Sequence, residues 1–348
     1  NGFSDWMGRL YYIDETYDWH SKSWSGSPYT NITDTETRGT EIQVNIHPFK
    51  GNTVTTGGQW EWIKLRYKKK PHGSPFSPNV LHQIYSWYLQ DKWSLLNDKV
   101  IVTAGLRYDF FRVKTFPSRE MTGYVGKTIE DDSWVGRGGI VYKPFKWLRL
   151  KVAAGKAFRM PTGYEYAGYH YSFFYKFKGN PNLRAEHSET YEGGFEITWR
   201  TVDFSLTYFH TNYRKQIVSC PSKTDIGWKT YCNLGHSQIK GLEGHLEFDI
   251  GDFFNLPYMI KPFVDFTRIM TARADKDYTN VGSEALQYID SWDISYGITF
   301  DDGEIFSASL FGQYIGKQKV IDWNYNSPTS VSYTHLRAHE TSLHLVCR

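Results

Sequence analysis

Between Gly155 and Leu183 the sequence runs GKAFRMPTGYEYAGYHYSFFYKFKGNPNL. His170 stands in it beside Tyr169 and Tyr171, a step before Phe173, Phe174 and Tyr175. A neutral imidazole is a good axial ligand for iron, tyrosinate is a second, and the neighbouring rings could cover a flat or apolar ligand. The plainer reading is a solvated loop histidine among aromatics that stack on a hydrophobic chelate or a glycan. A second candidate chemistry is redox. Cys220 and Cys232 enclose PSKTDIGWKTY, a polar stretch with turn character, which suits a disulfide closing a loop in an oxidising compartment; the alternative is two free thiols. Glu243, His245, Glu247 and Asp249 look like a metal set on paper. On a strand, neighbours on one face lie about 7 Å apart, too far for one ion without help from other strands, so they read as a polar wall. No G-x-S-x-G elbow or H-E-x-x-H helix names a nucleophile or a hydrolytic metal, and the paired acids Asp131 and Asp132 lie in a loop without support, so no catalytic residue is assigned.

The elements that must position these residues are strands. In VIVTAGLRYDF, one face carries Val100, Val102, Ala104, Leu106, Tyr108 and Phe110, and the other Thr103, Gly105, Arg107 and Asp109. The same split recurs in LRLKVAA from Leu148, VDFSLTY from Val202, KGLEGHLEFDI from Lys240 and EIFSASLFGQY from Glu304. Aromatic residues make up 18% of the 348, yet mean hydropathy is negative and no apolar run approaches the roughly 20 residues of a membrane helix. A membrane, if crossed, is crossed by strands. The formal charge of +3 is too small to argue for nucleic acid.

Alternation gives about 13 strands, and their connections fall into two alternating classes. Short ones lie at 47–52, 95–99, 143–147, 200–202 and 301–304; long ones at 18–35, 68–80, 113–132, 158–188, 214–236 and 272–286. Short turns on one rim and long loops on the other describe an all-β, transmembrane, antiparallel β-barrel of the bacterial outer membrane, apolar outside and polar in the lumen. Tyr85, Trp87, Tyr88, Trp93, Trp147 and Trp199 fit interfacial girdles. Because lipid tolerates no unpaired strand edge, 13 strands are expected to form an open, curved piece of a barrel.

Four stretches then carry a family resemblance: YSWYLQDKWSLLNDKVIVTAGLRYDFF (85–111), GKAFRMPT (155–162), GNPNLRAEHSETYEGGFE (179–196) and QIKGLEGHLEF (238–248). In this order and spacing they resemble TonB-dependent outer-membrane receptors over residues 1–331. The resemblance implies a barrel of about 22 strands filled by a separate N-terminal plug, absent here, and no enzymatic activity. It also implies uptake of an iron complex, siderophore or heme, as transported ligand and not as cofactor, powered by the TonB energy-transducing complex through that plug. Alternatives are a cobalamin or glycan receptor of the same family, or a secreted carbohydrate-binding all-β protein, which would be soluble without detergent and lack two classes of loop. Heme receptors of the family carry an FRAP-like and an NPNL-like box with a ligating histidine between them. Here Phe158, Arg159 and Pro161 (with Met160 in place of alanine) and Asn180, Pro181, Asn182 and Leu183 match the boxes, with His170 between. Siderophore and cobalamin receptors have related boxes. The expected partners are an extracellular iron complex, outer-membrane lipid and lipopolysaccharide, whose phosphates suit Lys68, Lys69 and Lys70 at the start of a long loop, and no nucleic acid.

Past Val331 the alternation collapses. SYTHLRAHET (332–341) back-translates into a sequence resembling a transposase adapter used in DNA library preparation, so 332–348, with His335, His339, His344 and Cys347, is read as a non-native tail. The chain also opens in mid-pattern at Asn1, as a truncation would.

Overall fold

The fold is seen in a computed structural model that describes residues 3–23, 25–71, 73, 75, 77–116, 126–171, 176–233, 235–275, 285–286, 288–322 and 327–331. The expected tail lies outside the described residues. Thirteen strands form one antiparallel sheet in chain order: β1 (Ser4–Lys22), β2 (Pro28–Ile46), β3 (Asn52–Lys70), β4 (Asn79–Leu95), β5 (Val100–Phe116), β6 (Thr128–Phe145), β7 (Leu148–Arg159), β10 (Glu186–Trp199), β11 (Val202–Arg214), β14 (His236–Phe248), β15 (Met259–Ala274), β16 (Trp292–Asp301) and β17 (Ser307–Ile315). Four short strands belong to two loops: β8 (Tyr169–Tyr171) and β9 (Lys176–Lys178) in one, β12 (Ile217–Pro221) and β13 (Lys229–Asn233) in the other. A hairpin of β18 (Gln318–Asp322) and β19 (Ser327–Val331) follows. Among the described residues β1 pairs only with β2 and β17 only with β16, so the sheet is an open wall. No helix of the described residues is long and apolar enough to cross a membrane.

Register fixes the two faces. Trp87 opposite Tyr108, Leu106 opposite Leu89, and Ile140 opposite Val152 stack an apolar outward side. Leu10, Val152 and Leu310 are among its exposed side chains, as lipid contact requires. The opposite face is polar and cross-linked: Arg9 to Glu41 at 2.8 Å, Arg107 to Asp109 at 2.9 Å and Arg149 to Glu196 at 2.5 Å. The supposed metal set belongs to this face. His245 meets Asp265 at 2.7 Å, and Lys261 meets Glu247 at 3.2 Å and Asp249 at 3.9 Å. Phe145 and Trp147 stack at 5.2 Å beside Trp199, a girdle at the short-turn rim.

Three expectations need correction. The stretch 18–35 is no long loop: β1 runs to Lys22 and β2 starts at Pro28, where the Thr- and Tyr-containing PYTNITDT (28–35) is strand-forming although it shows little period-two contrast. Tyr88 is not a girdle residue; it opposes Gly57 and its hydroxyl donates to Gln43 in the lumen at 3.2 Å. Lys68, Lys69 and Lys70 are strand residues of β3, not loop residues, so they cannot share a face.

The described apolar cluster of greatest extent sits on the inward side of the long-loop rim. Val80 and Val113 of the wall close on Tyr166, Leu183 and Ile217 from the loops, with Leu65, Tyr67 and Met160 against them. A lumen wall turns apolar here because loops fold down onto it and exclude water.

Candidate ligand-binding site in the barrel mouth

The 158–188 loop is held by its own motif residues. Phe158 stacks on Phe111 of the wall at 5.7 Å. Pro161 is fully buried and starts the descent into a one-turn helix, α1 (Gly163–Ala167). The sequence T-x-x-E closes a capping box: the Thr162 amide donates to Glu165 at 2.7 Å and the Glu165 amide to the Thr162 hydroxyl at 3.2 Å. Arg159 donates to both oxygens of Glu165, at 3.0 and 3.2 Å, and to Glu186 at 3.3 Å. Glu186 also accepts from the Ile217 amide at 2.9 Å. One guanidinium thus ties both ends of this loop to the start of the next.

The NPNL box does the same from the other side. The Asn180 amide donates to the Glu165 carbonyl at 2.8 Å, its side-chain amide donates to the Tyr231 carbonyl at 2.9 Å, and its side-chain oxygen accepts from Asn182 at 2.9 Å. Leu183 is buried in the apolar cluster behind it, while Pro181 is half-buried. Asn233 staples the second loop: it accepts from the Arg184 amide and donates to the carbonyls of Arg184 and Lys215.

The two loops share a sheet ordered β12-β13-β9-β8, in which Lys229 of β13 pairs parallel with Phe177 of β9. Cys220 and Cys232 are joined across β12 and β13, their Cα atoms 6.0 Å apart. Phe177, buried, stacks with Tyr164 at 4.8 Å and takes Tyr231 edge-on at 5.3 Å. His170 of β8 pairs across from Phe177, and the exposed Tyr169 lies 5.6 Å from Trp228.

Half-buried, His170 opens onto a cavity of about 460 Å³, also lined by Tyr17 and Trp19 of β1, Tyr67 of β3 and Tyr164 of α1. Burial, and after it the charge of Lys69, depresses the His170 pKa below the ordinary imidazole range. A neutral imidazole at neutral pH is a metal donor, and the cavity has the size and aromatic lining of a small-molecule site. Among the described residues no group of three or more His, Cys, Asp or Glu is placed to hold a metal ion.

Of the residues singled out in the sequence, Phe158, Arg159, Pro161, Asn180 and Leu183 shape the loop. Tyr169, His170 and Tyr171 form β8, and Phe173, Phe174 and Tyr175 lie outside the described residues. The sequence reading missed Glu165 and Glu186, the carboxylates that Arg159 bridges, although T-x-x-E was visible as a capping signal. It also missed Tyr17, Trp19 and Tyr67, which only the sheet brings to His170.

A family model described as TonB dependent receptor-like, beta-barrel matches residues 2–339. The hemin receptor of Yersinia enterocolitica is 28% identical over 219 residues, 55% of this chain and 30% of that protein. That of Yersinia pestis is 27% identical over 201 residues, 53% of this chain and 28% of that protein. Among solved structures, the ferric enterobactin receptor of Pseudomonas aeruginosa in complex with enterobactin superposes with a TM-score of 0.70 at 18% identity, covering 94% of this chain and 51% of that one. The Serratia marcescens hemophore receptor, solved with its hemophore and heme, gives 0.62 at 17% identity, covering 92% of this chain and 58% of that one. The matched segments therefore cover under a third of the length of each hemin receptor.

Proposed function

The chain belongs to the TonB-dependent receptors, outer-membrane β-barrel proteins of bacteria, and from that membership we propose that it is the ligand-capturing wall of a receptor that imports an iron complex with energy from the TonB system. The observation that carries the reading is His170, pKa depressed, on a disulfide-braced loop sheet beside an aromatic cavity of about 460 Å³. Hemin is the favoured cargo, because a planar chelate with an open axial position uses both the imidazole and the flat aromatic walls; the curated relatives named for hemin support this choice. Ferric siderophores are the second reading, supported by the aromatic lining, which also suits catecholate rings. Energy coupling would run through a plug docked in the lumen, and this chain would perform no covalent chemistry.

The test is growth of an iron-starved strain that lacks its own iron receptors and carries the full-length receptor. Hemin supports growth, growth requires an intact TonB system, and His170→Ala raises the hemin concentration needed. Growth on ferric siderophores alone would shift the cargo to the second reading. Growth on neither iron source would overturn the function.

A further inference from the structure

The inward side of β1, β2 and β3 turns aromatic at the long-loop rim. Tyr17 and Trp19 of β1 and Tyr67 of β3 line the cavity onto which His170 opens, and alternation puts Tyr29 of β2 on the same side of the sheet. Lys69 brings a cation among these rings. It follows Tyr67 by two residues on β3 and is half-buried, whereas Lys68 and Lys70 on the other side are exposed. Its ammonium sits 4.4 Å from the Tyr29 ring centroid. A ring orients an ammonium without cancelling its charge.

Described carboxylates keep away from this corner. No Asp or Glu lines the cavity, and Asp34 binds Lys68 on the outward side at 2.7 Å. The first acidic residue on the inward side of β1, β2 or β3 is Glu15, opposite Thr35, whereas Lys69 stands opposite Asn31. Asn31 lines the cavity too, and its buried side-chain oxygen finds no donor among the described residues. An amide that gains nothing in this orientation can turn its NH2 toward an incoming acceptor.

We propose that Lys69, with Asn31 opposite it, is the binding corner for a carboxylate at the edge of the cargo. The inference rests on hemin as that cargo and deepens the reading: iron takes the His170 imidazole, the rings cover the macrocycle, and a propionate at its edge meets the ammonium. An ammonium and a carboxylate that meet in a half-buried aromatic mouth bind more strongly than in open water. The two contacts lie within reach of one ligand, since the Lys69 ammonium is near enough to His170 to add, after burial, to the lowering of the imidazole pKa.

The test titrates purified full-length receptor in detergent with hemin and with hemin dimethyl ester, which keeps the macrocycle and iron but blocks the carboxylates, read by absorption in the Soret region. The receptor binds hemin roughly tenfold more tightly than the ester. K69Q removes that preference by weakening hemin alone, and its unchanged ester binding shows that the mouth is folded. K69R restores the preference, and K70Q, which removes a charge from the opposite face, leaves it intact. N31D, which sets a carboxylate across from the ammonium, weakens hemin more than the ester. H170A weakens both ligands alike, so the axial contact and the carboxylate contact are read separately. Equal affinity of the unaltered receptor for hemin and ester would overturn the carboxylate corner while hemin stands as cargo. An equal loss of both ligands in K69Q would also overturn it, by making Lys69 structural. Binding of neither ligand would overturn the hemin reading and the corner with it.

Discussion

Arg159 donates to two carboxylates whose side chains are only 11% and 14% exposed, so replacing it with methionine leaves Glu165 and Glu186 facing one another without their cation. Breaking such a pair deep in a protein costs several kcal/mol, but Arg159 is itself 42% exposed and water screens part of the effect, so about 1–3 kcal/mol is expected here. The loss is local. Amides of Gly179 and Ile217, bonded to the Gly168 carbonyl and to Glu186, should exchange with solvent on the order of ten- to a hundredfold faster in R159M, with the wall strands unchanged. Global destabilisation in the same experiment would mean that the clamp serves the barrel and not the loop. His170 makes the second residue-scale prediction. Its pKa is lowered in the folded protein, so between its folded value and the ordinary value of about 6.5 the unfolded chain binds a proton that the folded one refuses. Stability therefore gains nothing from pH above that window and declines as pH falls through it. Imidazole ligation follows the same direction: capture of hemin by the full-length receptor should persist from pH 7 to below about 6.5, where an ordinary histidine would be half protonated. A midpoint at or above the ordinary value would show that the burial of His170 does not protect its donor. The boxes themselves were legible in the sequence. Their polar partners were not, because Glu165 and Glu186 become neighbours only when the loop closes on itself.

At the scale of elements, the mouth is built from strands that no single loop could stabilise. β8 and β9 are three residues each, and β9 meets β13 at one pair, so the position of His170 depends on a hairpin from another loop. That hairpin is closed by Cys220–Cys232 across a sequence separation of 12, a span for which cross-linking removes about 3 kcal/mol of chain entropy from the open form. Replacing both cysteines by serine should weaken cargo binding by roughly tenfold through loss of preorganisation. The barrel should keep its thermal unfolding midpoint, since neither cysteine belongs to the thirteen-stranded sheet. Unchanged affinity would mean that the staples at Asn180 and Asn233 hold the hairpin without help. Strand existence was readable from alternation wherever one face is apolar, as in Val100–Phe110. It failed in 18–35, where β1 and β2 extend beyond the lipid belt and each face mixes polar residues with Trp19, Tyr29 or Ile32, so period-two contrast is lost although the backbone ladder continues from Ser4 opposite Ile46 to Lys22 opposite Pro28.

For the whole molecule, the count of 13 wall strands was recoverable because an apolar outward face and a polar lumen impose the same two-residue period on every one. Closure obeys a different constraint. Among the described residues nothing pairs along the outer side of β1, 19 residues long, or of β17, nine residues long, and in hydrocarbon each unpaired amide or carbonyl costs several kcal/mol. An apolar outward face strong enough to enter the membrane is therefore joined to edges that forbid a stable isolated sheet there. Residues 1–331 refolded alone into detergent should give aggregates or edge-paired oligomers, with no monomeric species that shifts in mobility on heating. The full-length receptor, whose remaining strands would pair both edges, should give that species. If the 13 strands alone yield a heat-modifiable monomer, β1 and β17 must be able to meet, and a narrower barrel would follow. Narrowing would squeeze the very lumen into which Tyr166, Leu183 and Ile217 now fold, so the same preparation should then lose the protection of the Gly179 amide.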